Sequence, residues 1–489
     1  MEEKYIASID LGTSKFGLCV ARIKGDDVQI VYYKETPSDG IRASIVSNPM
    51  KATAPLRKAI KDAEDQLMIK ILQVVIGLPR SEVRQETASA EVERFDPDEY
   101  ITGEEIDQLK EMAIESYPLD NPAQETIYGA VAQSFSIDDH IQLLESQVVG
   151  TLSSTLEGNF KVFVGNRRAV TAVDKIFNSI GVAIAKKYFL PDVVAKTVLN
   201  ENEMDSGVAL VDIGGGVTSL AIYQGGIMRH YASIPFGGKV ITGDIRSECA
   251  INEDLAEKIK LKFGACLPAK LASLSEKVLQ IRLCDPYKEV SVKYLSEIID
   301  SRCREIIDAV LYEIQESGLQ DCLRSGIVLT GGGASMVNLT TLFKEVSGYD
   351  VRHGYPRFLF TAEVGAAIYD TSATSAIGMV LAAKDDHMPD CVTKPEVPSE
   401  AEAASEPGEK VTEITDREIE KGKTGTLISE EEFGEAVGPA KPEKPGRKRR
   451  PKTPSKVTWT KTVGDFIKNF TLNIYDEMNK DDEEENSNK

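Results

Sequence analysis

Two short stretches of this chain share one design. Ser8-Ile9-Asp10-Leu11-Gly12-Thr13-Ser14-Lys15 leads into Phe16-Gly17-Leu18-Cys19-Val20, and Leu210-Val211-Asp212-Ile213-Gly214-Gly215-Gly216-Val217-Thr218 leads into Ser219-Leu220-Ala221-Ile222. Each reads as an apolar strand, a tight turn opening Asp-x-Gly, and a second strand. Gly12 and the run Gly214, Gly215, Gly216 let backbone N–H groups approach a phosphate; Thr13, Ser14 and Thr218 add hydroxyls beside Lys15, and Asp10 and Asp212 can orient water on a bound Mg²⁺. One such turn is an ordinary hairpin. Its recurrence with Asp, Gly and hydroxyl in register predicts duplicated lobes facing one phosphate chain.

A third glycine cluster, Gly331-Gly332-Gly333, follows the strand-like Ile327-Val328-Leu329-Thr330 and leads into a helix expected over Met336–Leu342. A strand ending in glycines at a helix start packs flat against a base or ribose and offers N–H donors to phosphate. Taken alone this is a glycine-rich strand-to-helix turn. Beside the other two it completes a nucleotide site.

The elements that must position these turns alternate β-branched runs with helical patterns as far as about Ala383, as in α/β domains. Strands are expected at Tyr5–Asp10, Val74–Leu78, Lys161–Val164, Val208–Asp212 and Gly326–Thr330. Helices are expected at Ala54–Gln66, Gly103–Ser116, Val170–Ile180, Asn252–Phe263 and Val292–Glu316; Thr102 and Glu105 form a capping box before one of them. With 489 residues, more than one core is required. A net charge of −21 opposes nucleic-acid binding. The seven cysteines are scattered without a C-x-x-C pair, and the four histidines lie far apart, so neither suggests a metal or redox site. The opening Met-Glu-Glu-Lys-Tyr lacks a secretory pattern and no run of about 18 apolar residues occurs, which reads as a cytoplasmic protein with at most peripheral membrane contact.

From 384 to 456 Pro, Glu, Lys, Gly and Ser dominate, a composition too poor in large apolar residues to offset ordering entropy, so a disordered linker is expected. It ends in the basic run Arg447-Lys448-Arg449-Arg450-Pro451-Lys452. Over 457–478 apolar periodicity resumes. Trp459, Val463, Phe466, Ile467, Phe470, Ile474 and Met478 share one helical face, an amphipathic helix suited to an anionic membrane surface. Gly464 weakens that helix, and the acidic tail over 479–489 weakens its lipid affinity.

In order and spacing, the three glycine turns resemble the phosphate-one, phosphate-two and adenosine motifs of the actin, hexokinase and DnaK-type chaperone superfamily. Ser233-Ile234-Pro235-Phe236-Gly237-Gly238-Lys239-Val240-Ile241-Thr242-Gly243-Asp244-Ile245, with Ala256-Glu257-Lys258-Ile259-Lys260 after it, resembles FtsA, the actin-like bacterial division family. The resemblance implies an α/β, two-lobed, actin-like (duplicated ribonuclease-H-like) ATPase fold, with an FtsA-type subdomain at 82–165 inserted into a first lobe of 1–81 and 166–204. A second lobe would occupy 205–234 and 326–370, a second-lobe subdomain 235–325, and a return helix 371–383. It further implies ATP and Mg²⁺ as ligands, with Gly238, Glu257, Lys260 and the 331–333 glycines near the adenosine, and at most weak ATPase activity without an assigned catalytic base. The implied partners are FtsZ, docking on 235–325, further copies in a head-to-tail filament, later division proteins, and membrane lipid through the terminal helix, with no nucleic acid. The implied location is the cytoplasmic face of the inner membrane at the septum. A small-metabolite kinase of the same superfamily would need a substrate motif that is not evident, a PilM-like pilus-assembly ATPase normally lacks the linker and helix, and a chaperone would need a substrate domain where the linker stands.

Overall fold

In the computed structural model, residues 3–138, 140–274, 277–281 and 288–393 are described. The expected linker beyond 393 and the amphipathic helix at 457–478 lie outside the described residues.

Two sheets with the same connectivity organise the chain. In the first, the meander β1 (Lys4–Leu11), β2 (Lys15–Lys24) and β3 (Asp27–Pro37) is antiparallel, and β4 (Gln73–Gly77) and β5 (Ala183–Tyr188) add in parallel beside β1, giving the order β5-β4-β1-β2-β3. In the second, β6 (Val208–Ile213), β7 (Thr218–Gln224) and β8 (Ile227–Ile234) form the meander, and β9 (Ile327–Thr330) and β10 (Val351–His353) add in parallel beside β6. The central strands are covered on both faces, so they read as unbroken apolar runs; every residue of β6 is buried. The duplication inferred from the paired turns is thus a duplication of whole sheets.

Around the first sheet, α1 (Pro49–Leu67) is capped by Asn48, which accepts from Lys51 N, and buries Ala52, Leu56, Ala59, Ile60 and Ala63. It packs against α2 (Arg167–Ile180), which buries Val173, Ile176 and Phe177. α3 (Leu190–Val198) puts Leu190 and Val193 into the first-sheet core and Val194, Ala195 and Val198 against residues of the second sheet. The second lobe carries α4 (Gly238–Cys249), α5 (Glu253–Phe263), α6 (Val292–Glu316) and α7 (Leu339–Ser347). The chain then returns as α8 (Thr374–Asp385), buried on nearly all sides against α3 and β1. A Cβ at Gly378 would lie 2.7 Å from the Val193 carbonyl, so the two helix backbones meet at a distance only glycine permits.

Between β4 and α2 the chain builds a separate four-stranded antiparallel sheet from Arg84–Glu93, Glu125–Ile137, His140–Leu143 and Thr155–Asn166. The helix Gly103–Ser116 covers one face, opened by the expected Thr102–Glu105 capping box. Alternation along the last strand sends Phe160 and Val162 into this local core with Phe135, Ile106 and Leu109. Phe163 points the other way. Its ring stacks on Phe189 at 4.3 Å and meets Tyr231 edge-on at 5.8 Å, which fastens the inserted sheet to residues flanking α3 and within β8.

Three expectations are corrected. The helix placed at Met336–Leu342 is a 3₁₀ turn at Gly332–Ser335 followed by α7, because Asn338 adopts a left-handed conformation (φ 65°) and its side chain donates to Cys266 O at 3.1 Å. The second lobe does not extend unbroken to residue 370: Phe360 packs in the first-lobe core and Thr361–Ala362 pairs with β3. Nor does the fold end at 383. α8 runs to Asp385, Cys391 is buried, and Val392–Thr393 pairs with Lys70–Ile71, because Cys391 and Val392 fill apolar space beside β1.

The junction between the inserted sheet and β8 holds His230. Tyr231 N donates to Gln85 Oε1 at 3.0 Å, which turns the Gln85 amide nitrogen toward His230 Nδ1 at 2.9 Å. Glu313 lies 3.8 Å from Nε2. Burial, then the nearby Lys161 charge, pushes the imidazole from its usual 6.5 down to about 4. The unfolded chain therefore takes up a proton there first, and stability falls as pH drops from 6.5 toward 4. His230→Gln should flatten that part of the stability profile in urea titrations at stepped pH; an unchanged slope would refute the assignment. In a second test, chains ending after residue 383 or after residue 395 are compared by thermal melting. The shorter should be less stable by roughly 2–4 kcal/mol, from lost burial of Cys391 and Val392 and their backbone hydrogen bonds.

A candidate nucleotide cleft

Both Asp-x-Gly turns sit at the same place in their sheets. Asp10 opposes Gly17 and Asp212 opposes Ser219, each one residue before the end of its strand. The turns face each other closely: a Cβ on Gly215 would lie 2.3 Å from Ser14 Oγ, and one on Gly216 would lie 2.8 Å from Thr13 Oγ1. Thr13 Oγ1 also accepts from Ser44 N at 3.0 Å. The third cluster closes on the same point. Gly331 takes φ +82°, and a Cβ there would stand 2.2 Å from Asp212 Oδ1, while Gly332 lies near the Lys15 ammonium. Gly333 packs against Ile213. The three turns separated in sequence thus gather with both aspartates and Lys15.

The charges in this cleft are paired. Arg80, which sequence reasoning did not single out, places its guanidinium between the two lobes: Nη1 donates to Asp212 Oδ2, Nη2 lies 3.7 Å from Asp10 Oδ1, and Nη2 donates to Ser375 Oγ at 2.7 Å. Burial raises the Asp10 carboxyl above the usual range, with Arg80 opposing that rise and Asp212 adding to it. Lys15 Nζ reaches Glu35 at 2.5 Å, and Glu35 also accepts from Ser372 and Tyr33 at 2.8 Å. Burial works to raise the Glu35 carboxyl, but Lys15, Ser372 and Tyr33 together outweigh it and the net shift is downward. A signal for Arg80 does exist. Leu78-Pro79-Arg80-Ser81 follows an expected strand, and once that strand lies parallel to β1, with Ile76 beside Ile9, the residues after it emerge next to Asp10.

The adenosine-side candidates divide. Gly238 N and Lys239 N donate to the carbonyls of Gly214 and Gly215, seating the start of α4 on the second turn. Lys260, 8% exposed, gives its ammonium to Gly238 O (3.0 Å), Thr242 Oγ1 (2.9 Å) and Glu257 Oε2 (2.7 Å). It ties α5 to the first turn of α4, and Glu257 is bound within the same knot through Thr242. Thr218 likewise spends its hydroxyl proton on Phe236 O at 2.9 Å, holding the bend before α4. The membrane-face candidates Trp459, Val463, Phe466, Ile467, Phe470 and Ile474 lie outside the described residues. Gly331→Ala should force a disfavoured backbone and a clash with Asp212. The expected cost is about 1–3 kcal/mol in urea unfolding, against under about 0.5 kcal/mol for Gly103→Ala, where an added Cβ meets nothing and the backbone is not left-handed; equal costs would refute the close approach.

The family model described as "Cell division protein FtsA" matches residues 209–378. Cell division protein FtsA of Neisseria meningitidis serogroup B is 32% identical over 359 residues, covering 73% of this chain and 85% of that protein. That of Pseudomonas aeruginosa is 29% identical over 367 residues, covering 72% and 83%. Among solved structures, a PilM–PilN type IV pilus biogenesis complex superposes with TM-score 0.53 at 16% identity, covering 77% of this chain and 98% of that one, a likeness of fold alone. The sheets described above are those of the actin-like ATPase fold, and the chain belongs to the FtsA family of cell division proteins.

Proposed function

We propose that this chain is an ATP-binding, actin-like protein that polymerises head to tail and ties a ring of the tubulin-like FtsZ to the cytoplasmic face of the cell membrane, where it recruits later division proteins. The observation that carries the nucleotide part is the meeting of the two Asp-x-Gly turns and Gly331 around one point. Their walls admit hydrogen but no Cβ, which fits a polyphosphate lying against backbone N–H groups. Gly12, Thr13, Ser14 and Lys15 would receive it from one lobe, and Gly214, Gly215 and Gly216 from the other, with Gly238, Gly331 and Gly332 toward the adenosine. Asp10 and Asp212 would hold a Mg²⁺ through its water; the ion would supply charge neutralisation for the phosphates.

Because the site is made of both lobes, a ligand there favours the arrangement in which the lobes face each other. ATP then acts chiefly as a structural ligand, and turnover is slow: with nucleotide bound, Asp10 and Asp212 are both committed to the water shell of the Mg²⁺, so neither of that pair stands free as a base. Membership of the FtsA family supports the division role over a metabolite kinase or a pilus-assembly ATPase. Among the described residues no helix is long and apolar enough to cross a membrane. Lipid contact is assigned to the amphipathic helix expected over 457–478, whose weak single-copy binding would be strengthened by polymerisation.

Liposome co-sedimentation with ATP tests this, with the full chain compared to one ending at residue 456, each with and without FtsZ. The full chain should pellet with anionic liposomes and carry FtsZ with it; the shorter chain should do neither. Intact lipid binding by the shorter chain would refute the terminal-helix assignment. Rapid phosphorylation of a small metabolite by a chain that ignores FtsZ and lipid would refute the whole reading.

A further inference from the structure

Arg80 lies on the short link from β4 into the inserted sheet, and its two ends serve different parts of the molecule. Its guanidinium joins Asp10 of the first lobe, Asp212 of the second and Ser375 of α8. Its backbone N–H donates to Ser44 Oγ at 3.2 Å, and its carbonyl accepts from Tyr231 OH at 3.0 Å. Ser44 N donates in turn to Thr13 of the first phosphate turn, and Tyr231 N to Gln85 of the inserted sheet. The side chain is 11% exposed, so this cation is committed to the cleft.

A guanidinium between two carboxylates supplies the positive charge that a divalent ion would bring to the same pair. Its planar fork also matches the oxygens of a phosphate, which an ammonium cannot span. A metal carried on a terminal phosphate and Arg80 would therefore compete for Asp10 and Asp212, and that phosphate offers the displaced guanidinium a new anion within the same cleft.

We propose that Arg80 distinguishes a nucleoside triphosphate from a diphosphate: it bridges Asp10 and Asp212 when no terminal phosphate is present and turns onto that phosphate when one is. The inference rests on the ATP-binding reading above. Turning the side chain loads the link between β4 and Arg84–Glu93, so the nucleotide state reaches the inserted sheet through residues 81–85, where Ser81 is tied to Ala43 and Gln85 to Tyr231.

The test uses the full chain as wild type, Arg80→Lys and Arg80→Ala, with ATP and ADP affinities from competition against a fluorescent nucleotide in excess Mg²⁺, and amide hydrogen exchange over residues 81–92. Wild type should prefer ATP over ADP, and ATP but not ADP should change exchange over 81–92. Arg80→Lys keeps the charge and the fold; it should lower the ATP-to-ADP preference on the order of tenfold, leave ADP affinity within about threefold, and abolish the exchange difference. Arg80→Ala should lose the preference and also melt at lower temperature without nucleotide, since the buried Asp212 and the partly buried Asp10 lose their shared counter-charge. An unchanged preference in Arg80→Lys, or an equal loss for both nucleotides, would overturn the proposal and leave ATP binding standing. A wild type that binds neither nucleotide would overturn the ATP reading, and this inference with it.

Discussion

Two carboxylates that face each other out of water cannot both remain charged without a cation between them. Asp10 and Asp212, largely shielded from water, are brought together because each stands one residue before the end of the central strand of its sheet, and the turns after those strands meet. Desolvation and mutual repulsion oppose this arrangement; Arg80 relieves it. Much of the surrounding structure serves that one contact. The parallel placement of β4 beside β1 delivers Arg80 to the cleft, α8 brings Ser375 as a further acceptor, and Gly331 clears space beside Asp212.

The same constraint explains why the cleft is lined by small residues. Where the turns close on the cleft they do so without a side chain, as Gly331 does beside Asp212 and Gly215 and Gly216 do against Ser14 and Thr13. Larger side chains are pushed outward to the layers behind. There Lys260 and Thr218 act on backbone carbonyls and hold the α4 start and the preceding bend in place. A site that places ligands by main-chain groups depends on such ties, because its geometry can be no firmer than the turns that carry it.

Much of this was legible in the sequence. The central strands were apolar runs flanked by glycine turns, and the long helices declared themselves by period, so that Gly103–Ser116 and Val292–Glu316 appear with the bounds expected of them. The pairing of Asp10 with Asp212 followed from repetition of a turn. What escaped was set by contacts between distant segments. Arg80 has no motif, and its role comes from strand order. Lys260 sits on a helix in a pattern that suggested ligand contact, yet its position next to the Gly238 carbonyl is a matter of how α4 and α5 pack. The chain end at 391–393 was hidden in a polar composition, where two apolar residues suffice to join a core.

That last feature has a mechanical meaning. Cys391 N donates to Tyr5 O, Leu72 N donates to Cys391 O, and Val392–Thr393 lies antiparallel to Lys70–Ile71. Tension applied from residue 394 onward therefore falls on the start of β1 and the turn before β4, before it reaches α8. Both of those strands end at the aspartate cleft. A pull on the tail is in this way applied to the beginnings of the two strands that deliver Asp10 and Arg80, so the tether and the cleft sit at opposite ends of the same pair of strands.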